Sequence, residues 1–312
     1  MNVKPFDRSV ASITTAYNAA AALRQHIDAL LRQERPLQEI IVVDNASSDE
    51  TRSLLAAQYP QVTVLRMTEN LGVGGALAAG LAYAALEKKH DWIWMFDQDS
   101  VPAPDALEVM LQEARQLEGK ATEVGIVAAM PVDQDMELSS SPWLWRNGFV
   151  KPSAELLHDP VLFSDLVITS GAMIRRDVVE AIGLPRSDFF IDFVDYEYCL
   201  RARSHGYKIA VITRAKLFHE IGQARKVRFL GRHYLWSQHR PFREYYKSRN
   251  LAYFVWWLYP SLSAKGSVVR HLMRQAVGVL LFGSEKFACL RKMMQGFLDG
   301  RRASLGMRFR PD

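Results

Sequence analysis

The amino-acid sequence predicts an α/β protein with a mostly parallel sheet and helices on both of its faces. Apolar runs of strand length alternate with segments of helical periodicity at least four times in the first third of the chain. Residues 92–100 form the clearest run, with five apolar residues followed by two aspartates one residue apart. An apolar run without alternation indicates a strand that is buried on both faces, as in parallel sheets.

The elements that the sequence predicts follow in chain order. Strands are expected at 10–16, 39–44, 62–66, 92–97, 124–130, 167–174 and 209–212, with helices at 19–32, 50–58, 70–88, 105–118, 176–182 and from Asp195 to 205. The first helix is supported by the helical spacing of Leu23, Ile27 and Leu30. The second is supported by the polar capping residues at 45–49. Residues 131–160 have no clear period and predict an excursion over the edge where the strands end.

The charge distribution predicts a basic C-terminal region. The chain of 312 residues is 49% hydrophobic, as expected for a globular protein with a large core, and its formal charge is +5. Residues 225–312 carry 18 Lys and Arg against 4 Asp and Glu, whereas residues 1–224 carry 21 against 30. We expect such a tail to bind an anionic partner, which could be nucleic acid, phospholipid headgroups or a diphosphate-linked substrate. We expect an α/β domain over 1–240 and a basic helical region over 241–312.

The apolar segments of this tail predict contact with a membrane surface or a second subunit. Residues 251–259 stop at Pro260, and residues 276–282 are also too short for the ~20 residues of a spanning helix. Basic residues such as Arg270 and Arg274 favour amphipathic helices on an anionic membrane. A packed helical pair, as in a homodimer interface, is supported equally.

The start of the chain and the cysteines predict a cytoplasmic protein. Residues 1–8 lack the long apolar core of a signal peptide. Cys199 and Cys289 lie far apart, without a second cysteine or a metal-type spacing nearby. We expect both to be reduced thiols in the core.

Polar residues follow three of the predicted strands. The carboxyl ends of parallel strands meet at one edge of the sheet, where ligands bind. Asp97 and Asp99 would point the same way and could share a hard cation that neutralises a diphosphate. Asp44 could accept a hydrogen bond from a base or ribose, and Tyr17 could stack on the base. Capping acids in a turn and, for Asp44, an Asx turn before Ser47 are the structural alternatives.

Further candidates lie in the second half of the sequence. Asp195 and Glu197 stand among aromatic residues, where desolvation would favour a general base, although acids are also common at helix starts. Gly171 follows Ser170 at a point where backbone could approach a ligand. His219 stands beside a glycine and is more often a structural histidine than a ligand.

Taken together, these segments resemble the inverting family 2 glycosyltransferases of the GT-A fold, and among them the bacterial rhamnosyltransferases. The similarity covers residues 10–255. It rests on these motifs: Thr15-Ala16-Tyr17-Asn18, Val42-Val43-Asp44-Asn45-Ala46-Ser47-Ser48-Asp49, Asn70-Leu71-Gly72, Phe96-Asp97-Gln98-Asp99-Ser100, Asp192-Phe193-Val194-Asp195-Tyr196-Glu197-Tyr198-Cys199-Leu200-Arg201, His219-Glu220-Ile221-Gly222 and Arg249-Asn250. The implied fold is a Rossmann-like nucleotide-binding sheet, mostly parallel, with a C-terminal helical extension.

The resemblance implies a role for each candidate residue. The donor nucleotide would be held by Thr15, Tyr17, Asn18, Asp44, Asn70, Gly72 and Asp97. Mg²⁺ or Mn²⁺ would be held by Asp97, Asp99 and His219; Asp195 would be the general base, and Arg249 would contact the leaving diphosphate. The acceptor or sugar pocket would include Ser170, Gly171, Trp143 and Glu197. Two positions depart from the family pattern, namely Val194 before the base and Ala78 in the helix after the glycine loop.

The implied reaction transfers a sugar, with inversion of its anomeric configuration, to a lipid-linked or saccharide acceptor at the inner face of the membrane. The sugar that the resemblance favours is L-rhamnose, donated by dTDP-rhamnose. The polysaccharide of a bacterial cell surface, such as an O-antigen, would be the product. A galactofuranosyl or other hexosyl transferase using a UDP-sugar shares all of these motifs. A non-catalytic sugar-nucleotide-binding scaffold is a different class of candidate. A nucleic-acid binder would have no use for strand-end carboxylates.

Overall fold

The computed structural model of the chain divides into two units. The described residues are 8–119, 123–133, 135–138, 142–219, 225–229, 232–236 and 239–309. Unit 1 comprises Met1–Leu144, Val150–Ser187 and Asp195–Glu220, and unit 2 comprises Trp145–Phe149, Asp188–Val194 and Ile221–Asp312. The division therefore falls at 220 rather than at the predicted 240, and two short segments from the first part of the chain belong to unit 2.

The described residues form thirteen strands and nine α-helices. The strands are β1 (Val10–Ala16), β2 (Glu39–Asp44), β3 (Thr63–Arg66), β4 (Trp92–Asp97), β5 (Val101–Pro102), β6 (Val124–Val132), β7 (Leu144–Trp145), β8 (Phe149–Val150), β9 (Val161–Ser164), β10 (Ala172–Arg175), β11 (Lys208–Phe218), β12 (Arg225–Phe229) and β13 (Arg232–Trp236). The helices are α1 (Ala20–Leu31), α2 (Thr51–Gln58), α3 (Gly72–Leu81), α4 (Ala106–Gly119), α5 (Arg176–Ile182), α6 (Val194–Ser204), α7 (Pro241–Tyr253), α8 (Leu262–Phe282) and α9 (Lys286–Arg301). A π-helical segment, Ala82–Glu87, continues α3 to the end of the predicted helix.

The predicted mostly parallel sheet is confirmed. Its strand order is β3-β2-β1-β4-β10-β6-β11-β5, and β9 also pairs with β11. The pairs among β1 to β4 are parallel, as is β6 with β11. In contrast, β10 runs antiparallel to both of its neighbours, and β5 and β9 run antiparallel to β11. The strand predicted from 167 begins only at Ala172, because the chain turns at Gly171, which has a φ of +79°.

The sheet is stabilised by apolar residues that face helices. Trp92, Trp94 and Phe96 of β4 are fully buried and belong to one core cluster with Leu23 and Ile27 of α1. Burying one large apolar side chain stabilises the fold by about 1.5–3 kcal/mol. Because successive strand residues point to opposite faces, this packing fixes which residues of β4 emerge at its end.

Unit 2 is built on the contact between α7 and α9. A Cβ added at Gly296 would lie 2.1 Å from the carbonyl oxygen of Tyr245, and one added at Gly300 would lie 2.1 Å from that of Arg249. The two helices therefore approach at a distance that only glycine allows. In the part of the chain that the structure describes, no helix is both long and apolar enough to cross a bilayer.

Candidate active site

Three predicted site residues lie side by side at one edge of the sheet. In the parallel register of β1 and β2, Ala16 is the partner of Asp44, and in that of β1 and β4, Thr15 is the partner of Asp97. Thr15 and Asp44 are buried, whereas Asp97 is half-buried. The carboxyl ends of β2, β1 and β4 thus form one continuous polar edge.

The loop after β1 is bonded to both neighbouring loops. The Tyr17 amide donates to Gln98 Oε1 at 2.7 Å. Asn18 has a φ of +49°, and its side-chain oxygen accepts from the Ser48 amide at 2.8 Å. Asn18 therefore holds the loop after β2 in place, while the half-buried Tyr17 is fixed through its backbone.

Asp44 closes the turn that follows β2. Its Oδ1 accepts from the Ser47 amide at 2.9 Å, and its Oδ2 accepts from Arg52 Nε at 2.9 Å. The side chain has no exposed surface. This is close to the turn that the sequence offered as the structural alternative, although each carboxylate oxygen keeps a second lone pair.

Asn45 is a site residue that the sequence interpretation did not single out. Its Nδ2 donates to Asn70 Oδ1 at 2.9 Å, and its Oδ1 accepts from the Leu71 amide at 2.8 Å. The Asn70 side chain in turn accepts from the amide of Gly72, whose φ is +70°. Asn45 therefore orders the loop that begins α3. The sequence feature that could have identified Asn45 is its position directly after Asp44, an acid at the end of a strand.

The segment after β4 is anchored by serine and histidine. The Asp97 amide donates to Ser170 Oγ at 3.1 Å, and the hydroxyls of Ser100 and Ser170 lie 2.5 Å apart. Ser100 Oγ also lies 2.9 Å from His219 Nδ1. Asp99 stands at the rim with a side chain that is 56% exposed, 3.9 Å from His219 Nδ1.

The predicted metal ligands are only partly assembled. Among the described residues, no group of three or more His, Cys, Asp or Glu side chains is arranged to hold a metal ion. The chemistry of the two carboxylates nevertheless fits a hard divalent cation, which prefers oxygen ligands. His219 is bonded instead to Ser100, so its position is that of a residue that orders the loop.

His26 stabilises the segment after β4 through the backbone of Ser100. It is fully buried; its Nδ1 lies 2.5 Å from the Ser100 carbonyl oxygen and its Nε2 lies 2.8 Å from Thr14 Oγ1. Because a carbonyl only accepts, Nδ1 carries the proton and Nε2 accepts from the threonine. Burial lowers the pKa of His26 to about 4, against the opposing effects of the Ser100 hydrogen bond and Asp99. The signal for His26 was its place on the apolar face of α1.

Asp195, the predicted base, lies half-buried near the start of α6. Cys199 is four residues later, on the same helix face. Its thiol donates to the Val167 carbonyl at 3.6 Å, and Arg203 forms a 2.6 Å ion pair with Asp165. The Asp195 face of α6 therefore packs against the segment that leads to Ser170. Cys199 and Cys289 are both buried thiols, as predicted.

Glu197 does not fit its predicted place in a ligand pocket. Its two carboxylate oxygens accept from Arg201 at 3.0 and 2.6 Å, and the residue is 5% exposed. Arg201 also donates to the carbonyl oxygens of Ile182 and Leu184, both at 2.9 Å. The pair joins α6 to the end of α5, so Glu197 serves the packing of unit 1.

Gly171 and Trp143 have defined structural surroundings. The Gly171 carbonyl accepts from Trp94 Nε1 at 3.2 Å, and a Cβ at Gly171 would lie 2.8 Å from Leu217. Trp143 is half-buried, pairs with Leu166 through a backbone bridge, and has Lys151 Nζ 5.6 Å from its ring centroid. Both lie along the segments that flank Ser170.

Arg249 does not fit the predicted phosphate contact. It is fully buried in unit 2, where Nη2 donates to the carbonyl oxygens of Asp188 and Phe189 at 2.9 and 2.8 Å. Its Nε donates to Asn250 Oδ1 at 2.9 Å, and its guanidinium lies 4.7 Å from the Tyr246 ring. The guanidinium therefore binds the backbone carbonyl groups of Asp188 and Phe189.

Comparisons with known proteins identify the family of this chain. The model of the family described as glycosyl transferase family 2 matches residues 12–183, more than half of the chain. A dTDP-rhamnosyl transferase of Shigella flexneri, RfbF, is 27% identical over 271 residues, covering 86% of this chain and 87% of that protein. The galactofuranosyltransferase GlfT1 of Mycolicibacterium smegmatis is 27% identical over 220 residues, covering 68% of this chain and 71% of that protein.

A solved structure has the same fold. The crystal structure of GalNAc-T7 with UDP, GalNAc and Mn²⁺ matches with a TM-score of 0.60 and 14% identity. The match covers 95% of this chain and 56% of that one, so this chain spans a little over half of its length. At this identity the likeness bears on the fold, which is the predicted GT-A fold. With a strand-edge site and a family match over more than half of its length, the chain belongs to glycosyl transferase family 2.

Proposed function

We propose that the protein is an inverting glycosyltransferase that moves L-rhamnose from dTDP-rhamnose to a hydroxyl of a lipid-linked or saccharide acceptor, on the cytoplasmic face of the membrane. The observation that carries the proposal is the strand register that brings Thr15, Asp44 and Asp97 to one polar edge. The similarity to a protein named as a dTDP-rhamnosyl transferase supports the choice of donor. The product would be part of a bacterial surface polysaccharide.

The donor would lie along that edge. Thr15 and Tyr17 would contact the nucleoside, Asp44 would hold the turn beside it through Ser47, and Asp97 and Asp99 would hold Mg²⁺ or Mn²⁺. When bound, the cation would neutralise charge on the diphosphate. Ser170 and His219 keep the acid-bearing segment in place through their bonds to the Asp97 amide and the Ser100 hydroxyl.

Asp195 would act as the general base. It would accept the proton of the acceptor hydroxyl while the hydroxyl oxygen attacks the anomeric carbon from the face opposite the diphosphate. The new glycosidic bond forms as the bond from that carbon to the diphosphate oxygen breaks, and the electron pair leaves with the diphosphate. Attack from the opposite face inverts the anomeric configuration.

A thermal-shift screen of sugar nucleotides with Mg²⁺ or Mn²⁺ tests the proposal. A ligand that binds only the folded state raises its melting temperature. We expect dTDP-rhamnose with a divalent cation to give the largest shift, and the same mixture with an acceptor to release dTDP. Stabilisation by UDP-sugars alone would contradict the donor assignment. Binding without nucleotide release in the presence of any tested acceptor would favour a non-catalytic scaffold.

A galactofuranosyl or other hexosyl transferase is the second candidate. It is favoured by the similarity to a galactofuranosyltransferase over 68% of the chain. Asp97 and Asp99 would serve any nucleoside diphosphate sugar equally, because their proposed cation would act on the diphosphate rather than on the sugar. Mass spectrometry of the product distinguishes a deoxyhexose from a hexose and so separates the two candidates.

A further inference from the structure

Helix α8 has apolar residues on two opposite faces. One face, which includes Ala264, Val268 and Val279, is buried within unit 2. The opposite face carries a row of exposed apolar residues, here called the α8 stripe: Leu262, Val269, Met273, Val277 and Leu280. Residues spaced by three, four or seven positions lie on the same side of a helix, so the stripe is continuous along α8.

The α8 stripe is well exposed. Leu262 is 89% exposed and Met273 is 63% exposed, and Phe287, in the first turn of α9, is 88% exposed. Single exposed apolar residues are normal on a protein surface. A contiguous row of them marks an interaction site, because leaving it in water is unfavourable.

The charged residues of α8 are all basic, and the one acid between α8 and α9 is Glu285. Lys265, Arg270 and Arg274 are the charged residues of α8, which has no Asp or Glu. The only acid of α9 is Asp299, which is 8% exposed and accepts from the Tyr245 hydroxyl at 2.7 Å. The partner that fits this surface is therefore apolar and rimmed by negative charge.

We propose that the α8 stripe inserts into the headgroup and acyl boundary of an anionic lipid bilayer, with Arg270 and Arg274 at the lipid phosphates. Apolar side chains on one helix face, with basic residues beside them, are the features that hold a helix in this plane. Pairing of two copies of the chain through the stripe would bring these arginines towards one another. This inference rests on the proposed function, because membrane binding would bring the transferase to a lipid-anchored acceptor.

Vesicle sedimentation of the full chain tests the inference, with neither sugar nucleotide nor acceptor present. We expect binding to vesicles of phosphatidylcholine mixed with phosphatidylglycerol, weak binding to phosphatidylcholine alone, and loss of binding at high salt. The double variant Met273→Glu/Leu280→Glu should bind about ten-fold or more weakly, since it places charge in the acyl boundary. Arg270→Glu/Arg274→Glu should weaken binding similarly, because each basic residue contributes attraction to an anionic surface.

Leu86→Glu is the matched control, since Leu86 is exposed but lies in unit 1. It should bind vesicles as the wild type does. The inference is overturned by wild-type protein that stays in the supernatant, or by a Met273→Glu/Leu280→Glu variant that binds unchanged. It is also overturned by a wild-type dimer that this variant makes monomeric while vesicle binding persists. A donor-induced thermal shift retained by the variant shows correct folding and keeps this result separate from the test of the proposed function.

Discussion

Two polar clusters of this protein look alike in sequence but differ in what they leave accessible. In unit 1, the segment after β4 is anchored from behind by Ser170, while Asp99 stands 56% exposed at the rim. In unit 2, Arg249 and Asn250 have no exposed surface. Sequence shows only that each cluster is polar. Burial and bonding separate side chains that can still meet a ligand from those already committed to the backbone.

The buried cluster holds an unusual piece of chain. Asn250 Nδ2 donates to the carbonyl oxygens of Phe189, Ile191 and Asp192 at 2.8, 2.8 and 2.9 Å. Phe190, Asp192 and Phe193 have φ values of +64°, +63° and +66°. Left-handed conformations at such residues cost about 1–3 kcal/mol each and persist only where the surroundings fix them. The segment ends two residues before Asp195.

The largest expected effect concerns the accessible acids. In Asp195→Asn, loss of the general base should lower the transfer rate by about 10²- to 10⁴-fold. The donor-induced thermal shift should stay nearly unchanged, because Asp195 is proposed to act on the acceptor. Initial rates at saturating donor and acceptor measure this. Glu180→Gln, at an exposed position of α5, is the control; transfer that is unchanged in Asp195→Asn would exclude this base.

The second effect concerns the committed cluster. Asn250→Leu keeps the approximate volume but removes the donor for three carbonyl oxygens, so we expect a loss of about 3–5 kcal/mol in the free energy of unfolding. Urea denaturation measures this loss. Gln295→Leu, at a half-buried position of α9, should change stability by less than about 0.5 kcal/mol. A stable Asn250→Leu variant would show that the left-handed segment does not need this donor.

The third effect is a pH dependence of the free energy of unfolding, which arises from the buried His26. The pKa of His26 is about 4 in the folded protein and 6.5 as its unperturbed value. The unfolded state therefore binds a proton more readily, and the stabilisation is present above pH 6.5 and is lost as the pH falls towards 4. A difference of this size corresponds to about 3 kcal/mol. Urea denaturation of the wild type and of His26→Gln across this range measures it.

His239 of unit 2 is also expected to titrate in this window, since burial, followed by the charges of Arg243 and Lys247, lowers its pKa to about 4. The variant His26→Gln should therefore flatten the pH dependence only in part. A pH profile that the variant leaves unchanged would contradict the neutral, buried state of His26.

Much of the fold follows from sequence, because β1 and β2 are apolar runs with polar ends and their predicted bounds agree with the observed ones. The strands between 131 and 160 were missed, because β7 and β8 have two residues each and no period. The partners of Arg249 lie 60 and 61 residues away in the chain, so no local pattern reveals them. The Glu197 pair was different: Arg201 stands four residues later, a spacing that predicts an ion pair on a helix.

The ion pair of Glu197 and Arg201 gives the prediction with the smallest expected effect. It also tests the comparison most directly, because Glu197 and Asp99 are both acids of unit 1, one buried and one exposed. Glu197→Gln should cost about 1–3 kcal/mol of stability, since Arg201 loses its charged partner in a buried site. It should leave the cation-dependent part of the donor thermal shift intact. Asp99→Asn should change stability by less than about 0.5 kcal/mol, because its side chain is 56% exposed, and should abolish that cation-dependent part. If both variants lost the donor shift, or both kept it, burial would not separate committed acids from ligand-binding ones here.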